Sequence, residues 1–257
     1  MTSGSFSIVC EVEPATRADL MHVRHQIGVM SRIASSFLIP DNHIGRATVS
    51  SIAVAHEVAL MGGRSIACLN ARDRNTLGFR RDLLTAAAYG VDELLFVYGD
   101  RPETGRRSDD LTVRSMIEEA RRFSSDAART SNQFRIGVTS KLAPLPPWKR
   151  EADFVFVQVS FLLEALLRWR ETIDFEGPVF AGVMAPPSAT MARKLSSEIP
   201  ELAVPDSLVQ ALDKDSSAGV DFACQMVSDI RDSGAFDGVH LIPVARYREI
   251  TARLERS

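Results

Sequence analysis

Eight short runs rich in β-branched and aromatic residues alternate along this chain with longer stretches of helical period. That alternation restricts the fold to repeated βα units. The runs fall at roughly 5–12, 35–40, 64–71, 93–98, 134–140, 154–160, 177–184 and 238–244. Helical periodicity covers 16–31, 48–61, 75–89, 109–130, 161–172, 188–198, 205–213, 218–233 and 246–255. In the second of these helices Ile52, Ala55, Ala59 and Leu60 are expected on one face, with His56 and Glu57 elsewhere. No Gly- or Ser-rich linker divides the chain. Eight strands and about eight helices in 257 residues therefore predict one α/β domain over 1–257, a single (β/α)8 TIM barrel.

Two places depart from the regular count. Between the fifth and sixth strands lies Leu142-Ala-Pro-Leu-Pro-Pro-Trp148-Lys-Arg-Glu151, whose prolines leave room for one turn of helix. This β5–β6 connection is expected to be shortened. The segment 186–215 is longer than one helix needs, and its Ile199-Pro200 and Val204-Pro205 steps imply a helix, a turn and a second helix.

A net charge of −3 gives no reason to expect nucleic acid or an anionic membrane as partner. Basic pairs such as Arg80-Arg81, Arg106-Arg107 and Arg121-Arg122 read as solvated helix faces. Cys10, Cys68 and Cys224 are widely spaced, so neither a zinc site nor a disulfide framework is expected. Met-Thr-Ser-Gly-Ser-Phe at the start shows no charged region followed by an apolar one, so no signal peptide is expected, and no apolar run is long enough for a membrane span. The expected compartment is cytoplasmic.

The chemistry is expected where apolar runs end on polar residues. Six runs do so, ending at Glu11, Asp41-Asn42, Asp73, Asp100, Lys141 and Gln158. In a parallel barrel those ends converge on one mouth. Period-two alternation puts Glu11 and Glu13 on one face and Ile8, Cys10 and Val12 on the other. A buried carboxyl at Glu11 would have a raised pKa and suit a general acid, whereas Glu13, beside Pro14, belongs at the wet rim. In Tyr98-Gly99-Asp100 the glycine permits close backbone approach to a flat ligand, although Gly-Asp also closes ordinary turns. Asp73 and Asn75 fit helix N-caps as well as they fit ligand contacts. Gln158 sits in the apolar run Phe154–Phe161 and needs a partner, either a heterocycle or a neighbouring strand, and Phe161 could stack on such a ring. His22 and His25 are expected on a helix surface. His240, in the last strand, reads as a satisfied barrel residue ahead of a catalyst.

Taken in order, several blocks resemble the methylenetetrahydrofolate reductase family, whose members are (β/α)8 barrels. They are Glu11-Val-Glu-Pro, Pro40-Asp-Asn, Ala71-Arg-Asp-Arg-Asn-Thr-Leu-Gly-Phe-Arg-Arg-Asp-Leu-Leu, Tyr98-Gly-Asp-Arg-Pro, Val157-Gln158, Gly182-Val-Met-Ala-Pro and Gly238-Val-His-Leu-Ile-Pro with Arg246-Tyr247. The chain looks especially like the reductase module fused to homocysteine methyltransferases in some bacteria. The resemblance implies reduction of 5,10-methylenetetrahydrofolate to 5-methyltetrahydrofolate in one-carbon metabolism and methionine biosynthesis. Glu11 matches the acid that protonates N10, Asp100 the aspartate near the pterin and hydride donor, and Gln158 the amide that orients the pterin. Arg246 matches an arginine near the substrate's glutamate end. Asn42 and Phe161 complete the expected substrate contacts, and Tyr98, Gly99 and Asp73 the expected cofactor contacts; no metal is implied. The implied partners are a folate and a methyltransferase.

Departures from the family pattern concern the flavin. Cys68 stands where the family has a histidine, and Thr139-Ser140-Lys141-Leu142 where a Tyr and a His hold FAD. The helix with further FAD contacts is replaced by 143–153, and Met191 and Leu195 stand at a glutamine and an aromatic. The implied cofactor is NADH (or NADPH), giving hydride directly without flavin. FAD bound in an altered pose is the alternative. Two further readings stay open: a folate-linked C1 or methyl transferase, and a folate-binding accessory subunit without reductase activity.

Overall fold

A computed structural model describes residues 6–101, 103–126 and 133–256. Eight parallel strands close into a barrel in sequence order, with the last paired to the first. They are β1 (Ser7–Glu11), β2 (Ser36–Ile39), β3 (Arg64–Asn70), β4 (Glu93–Val97), β5 (Arg135–Ser140), β6 (Phe154–Val159), β7 (Val179–Met184) and β8 (Gly238–Ile242). The helices are α1 (Met21–Met30), α2 (Ser51–Leu60), α3 (Thr76–Ala88), α4 (Val113–Ser125), α5 (Leu163–Thr172), α6 (Ala189–Glu198), α7 (Asp206–Lys214), α8 (Ala218–Ser233) and α9 (Tyr247–Leu254). The (β/α)8 architecture expected from the alternation is the one observed.

The irregular places also fall where the prolines put them. Only a 3-10 turn, Pro147–Glu151, separates β5 from β6. A 3-10 turn at Pro200–Leu202 breaks α6 from α7. Helix starts differ from the periodic pattern where a side chain caps the backbone. Asp19 accepts from Met21 N–H at 2.8 Å and starts α1 five residues later than periodicity alone implies. Thr112 and Ser115 form a reciprocal capping box, so 109–112 is a loop. Residues 127–130 of that expected helix, and residue 5 of the first expected strand, lie outside the described residues. β8 stops at Ile242 because Pro243 follows and Val244 and Ala245 take positive φ.

The strands bury both faces. Val9, Leu38, Ile66, Cys68, Leu95, Phe154 and Phe156 fill the barrel lumen. Cys10, Val12, Phe37, Ile39, Leu69 and Phe96 face the helices in the outer core. Period-two alternation thus assigns the face of each β1 residue as expected. The expected face of α2 needs correcting: Ala59 and Leu60 are exposed, Leu60 by 68%, while Ile52, Val54, Ala55 and Val58 are buried. Val58 packs toward Phe37 at the tight Gly62-Gly63 turn. Leu60 lies about 200° further round the helix and so faces solvent.

Candidate active site

At the C-terminal mouth a cavity of about 420 Å³ is lined by residues from most of the strands, Glu11, Cys68, Asp100, Thr139, Gln158 and His240 among them. Its floor is the apolar layer of Leu38, Leu95 and Phe156. Glu11, the last residue of β1, points inward beside His240 of β8, with Oε2 3.1 Å from Nε2. Both side chains are nearly covered, at 16% and 11% exposure. The His240 ring stands edge-on to Phe156 at 5.2 Å between centroids. The approach to Glu11 lacks hydrogen-bond alignment, and among the described residues His240 Nε2 has no other protein partner. His240 is therefore not the satisfied barrel residue expected from the sequence. It is a group at the heart of the cavity, and the alternation Gly238, His240, Ile242 along β8 was the signal for its inward direction.

Gln158 follows Phe154 and Phe156 on the lumen face by period-two alternation, and a bulge lies at its position. β6 pairs with β7 as Val157↔Ala181 and then Val159↔Gly182, so Gln158 is the extra residue. The bulge presses its backbone onto Gly182. A Cβ there would lie 2.6 Å from the Val157 carbonyl oxygen and 2.7 Å from the Val159 nitrogen. Gln158 faces the cavity, and among the described residues its amide has no protein partner. A core amide bonded to a neighbouring strand is thereby set aside.

Asp100 lies just beyond β4, exposed at the cavity wall, where its Oδ2 accepts from Ile44 N–H at 2.9 Å. The β2–α2 loop is thereby tied to the β4–α4 loop, a second tie being Glu103 N–H to the Gly45 carbonyl at 2.9 Å. His43 of the same loop lines the cavity. Ile44, a β-branched residue, is held at φ 52 and is 58% exposed at the rim.

A polar network braces the loops after β2 and β3. The Asp41 side chain is buried; Arg74 pairs with it, and the backbone and side chain of Asn70 both donate to it at 2.9 Å. Burial pushes its carboxyl up to about 6 despite the opposing pull of Arg74. Asp73 accepts from Asn70 at 2.7 Å and from Asn42. Asn42 and Asp73 thus bond to each other beside the mouth and do not line the cavity. Asn75 caps α3, accepting from Gly78 N–H at 2.8 Å.

Tyr98 and Gly99 line the cavity. Gly99, at φ 88, makes its close approach to Asn70, whose Cβ would lie 2.8 Å from an added methyl. The neighbour that requires glycine is thus a side chain of the protein. Phe161 is buried under α6 and α7 beside Phe222, away from the cavity lining. Arg246 bonds Glu249 at 2.8 Å and the Pro187 carbonyl at 3.3 Å, outside the cavity. Cys68 lines the cavity, and burial, with Glu11 and Asp41 nearby, pushes its thiol well above the ordinary range. His22 and His25 are on the helix surface as expected, and Glu13 is exposed. No cluster of potential metal ligands occurs among the described residues.

The arrangement offers an acid with a basic neighbour on the floor, a free amide on one wall and an exposed carboxylate on another. A flat heterocycle that must be protonated and held while cationic fits it.

Similar structures share the fold at low identity. A Clostridium thermocellum protein described as binding two copies of 5-methyl-5,6,7,8-tetrahydrofolic acid superimposes with TM-score 0.65 at 10% identity, covering 98% of this chain and 95% of its own. EDTA monooxygenase from Chelativorans sp. BNC1 gives 0.56 at 9% identity, covering 98% and 93%. A Rhizomucor miehei β-1,3-glucanosyltransferase gives 0.56 at 9%, covering 93% and 87%. No curated protein matches the sequence. No helix of the described residues is long and apolar enough to cross a membrane. The model of the family described as methylenetetrahydrofolate reductase matches residues 149–257, which carry Gln158, Gly182 and His240, and the family resemblance read from the sequence is thereby supported on an eight-stranded barrel.

Proposed function

We propose that this chain reduces 5,10-methylenetetrahydrofolate to 5-methyltetrahydrofolate, taking hydride directly from a nicotinamide dinucleotide. The observation that carries the reading is the convergence of Glu11–His240, Asp100 and the unpartnered Gln158 on one cavity. The family match over 149–257 supports it, as does the folate named for the Clostridium thermocellum protein.

The chemical problem is to open the five-membered ring between N5 and N10. Glu11 gives its proton to N10, and the C–N10 bond breaks with its electron pair going to N10. The methylene carbon is left as an N5 iminium. The Asp100 carboxylate at the cavity wall stabilises that cation, and Gln158 pairs with the pterin edge to fix its orientation. Hydride then adds to the methylene carbon, giving the N5-methyl group. His240, 3.1 Å from Glu11, is near enough to return a proton to the carboxyl after a small reorientation. Arg246 would meet the carboxylates of the glutamate tail, as the resemblance implies, by exchanging its contact with Glu249.

The residues at the strand-five end offer a flavin few free groups. Ser140 Oγ donates to the Lys141 carbonyl, and the Thr139 carbonyl is taken by Lys149. Cys68 offers only a weak donor at the lumen. No step is therefore routed through flavin.

The test is an absorbance spectrum of the purified protein followed by NADH oxidation with and without methylenetetrahydrofolate, no flavin being added. A colourless protein that oxidises NADH only with the folate present is expected. A yellow protein, or activity only when FAD is supplied, would overturn direct transfer. No oxidation under either condition would favour the transferase or accessory-subunit readings.

A further inference from the structure

A second cavity of about 380 Å³ opens between β4, β5, the start of α4 and the Pro147–Glu151 turn. The shortened β5–β6 connection leaves this space uncovered by a helix. It shares Tyr98 and Thr139 with the mouth cavity, so the two are adjacent. Its walls include Trp148 and Tyr98, the latter 47% exposed, an aromatic pair suited to a planar ring.

The charges here are unusual for this protein. Most arginines around the mouth meet a carboxylate, as in Arg74–Asp41 and Arg107–Asp109. Two cations beside this cleft do not. Half-buried Lys149 donates from Nζ to the Thr139 carbonyl at 2.6 Å and lies 5.4 Å from the Trp148 ring, with no carboxylate partner among the described residues. Burial pushes its ammonium pKa down. Arg72 lies 4.5 Å over the Tyr98 ring, and its buried Nε has no hydrogen-bond partner among the described residues. Half-covered cations without counter-charge are costly unless an anion joins them. The first turn of α4 also carries no acidic residue.

We propose that this cleft binds the adenosine diphosphate half of the hydride donor, with Arg72 and Lys149 on its pyrophosphate and its adenine against Trp148 or Tyr98. The nicotinamide would then reach the mouth past Tyr98 and Thr139. The assignment rests on the reductase reading for the identity of the donor, but the binding it requires is measurable without turnover.

The experiment is calorimetric titration of the full chain with ADP-ribose, and separately with 5-methyltetrahydrofolate, for wild type, Arg72→Gln and Lys149→Met. Thermal melts serve as the folding control. Saturable ADP-ribose binding is expected, weakened about tenfold in each variant, with folate affinity unchanged. Inorganic pyrophosphate should displace ADP-ribose from the wild-type chain, an arm that needs no variant. Absence of ADP-ribose binding, failure of pyrophosphate to displace it, or binding of FAD without ADP-ribose would overturn the assignment. If NADH is oxidised with folate while both folded variants bind ADP-ribose like wild type, the cleft assignment fails and the reductase reading stands. If ADP-ribose binds at the cleft but NADH is never oxidised, the cleft stands and the reductase reading fails.

Discussion

Gly182→Ala tests whether packing at the bulge fixes the position of Gln158 in the cavity. The new methyl would lie 2.6 Å from the Val157 carbonyl oxygen, 2.7 Å from the Val159 nitrogen and 2.9 Å from the Gln158 carbonyl carbon. All three are backbone atoms of the bulge and cannot swing aside as a side chain can. Relief requires β6 to move away from β7 by several tenths of an ångström. Overpacking of this kind costs about 1–3 kcal/mol. For a domain of this size that lowers Tm by roughly 2–4 °C per kcal/mol. The larger effect falls on the site, because displacing an orienting group by about 1 Å can cost on the order of a hundredfold in rate. Gly28→Ala is the control, since its added methyl meets only Met61 at 3.8 Å. Steady-state kinetics with methylenetetrahydrofolate and thermal melts on both variants would decide. The expected result is a large loss of kcat/KM for Gly182→Ala at a modest cost in Tm, with Gly28→Ala close to wild type. A lowered Tm with kcat/KM unchanged would refute the claim that packing at the bulge fixes the position of Gln158. An unchanged Tm would refute the packing argument itself.

Glu11→Gln keeps the shape of the acid and removes its proton, so turnover should fall by about 10²–10⁴ while folate binding by calorimetry persists; unchanged turnover would remove Glu11 from the mechanism. The Asp41 carboxyl is raised from an ordinary 3.8 to about 6 in the folded chain. Its contribution to stability is therefore greatest below pH 4 and is lost as pH rises through 6, by up to about 3 kcal/mol. The Tm of wild type relative to Asp41→Asn should accordingly fall between pH 4 and pH 7, and a difference independent of pH would contradict the burial argument. Ile44→Gly removes a β-branched side chain from φ 52 and should raise stability by about 1 kcal/mol in denaturant melts, an unchanged midpoint counting against strain at that loop.

The barrel was legible in the sequence because its signals are local and periodic. Each of the eight strands was marked by a β-branched run, and the prolines of 142–151 and the Ile199-Pro200 and Val204-Pro205 steps marked both irregular connections. Helix starts drifted by four or five residues at α1 and α4, since one capping side chain at Asp19 or Thr112 outweighs a weak periodic signal. Glu11 was readable as an inward residue from the alternation on β1, and the same alternation on β8 gave His240 its direction. What β8 alone could not reveal was that Glu11 stands 3.1 Å away, because β1 and β8 meet only on closure of the barrel.

The remaining surprises are also non-local. The bulge at Gln158 depends on Gly182 one strand away. Asn42 and Asp73 look like separate mouth residues in sequence, yet they bond to each other across two loops. Phe161 follows β6 closely, but α6 and α7 close over it and remove it from the mouth. Tyr98 ends an apolar run like any strand residue, and nothing local to it announces Arg72 over its ring.

The most direct measurement is the fate of hydride carried on carbon 4 of NADH. With NADH deuterated at the transferred position, mass spectrometry of the 5-methyltetrahydrofolate product from flavin-free protein should show one deuterium in the methyl group. A methyl group carrying only solvent hydrogen would mean that the hydride passed through an exchangeable carrier, and direct transfer in this cavity would be wrong.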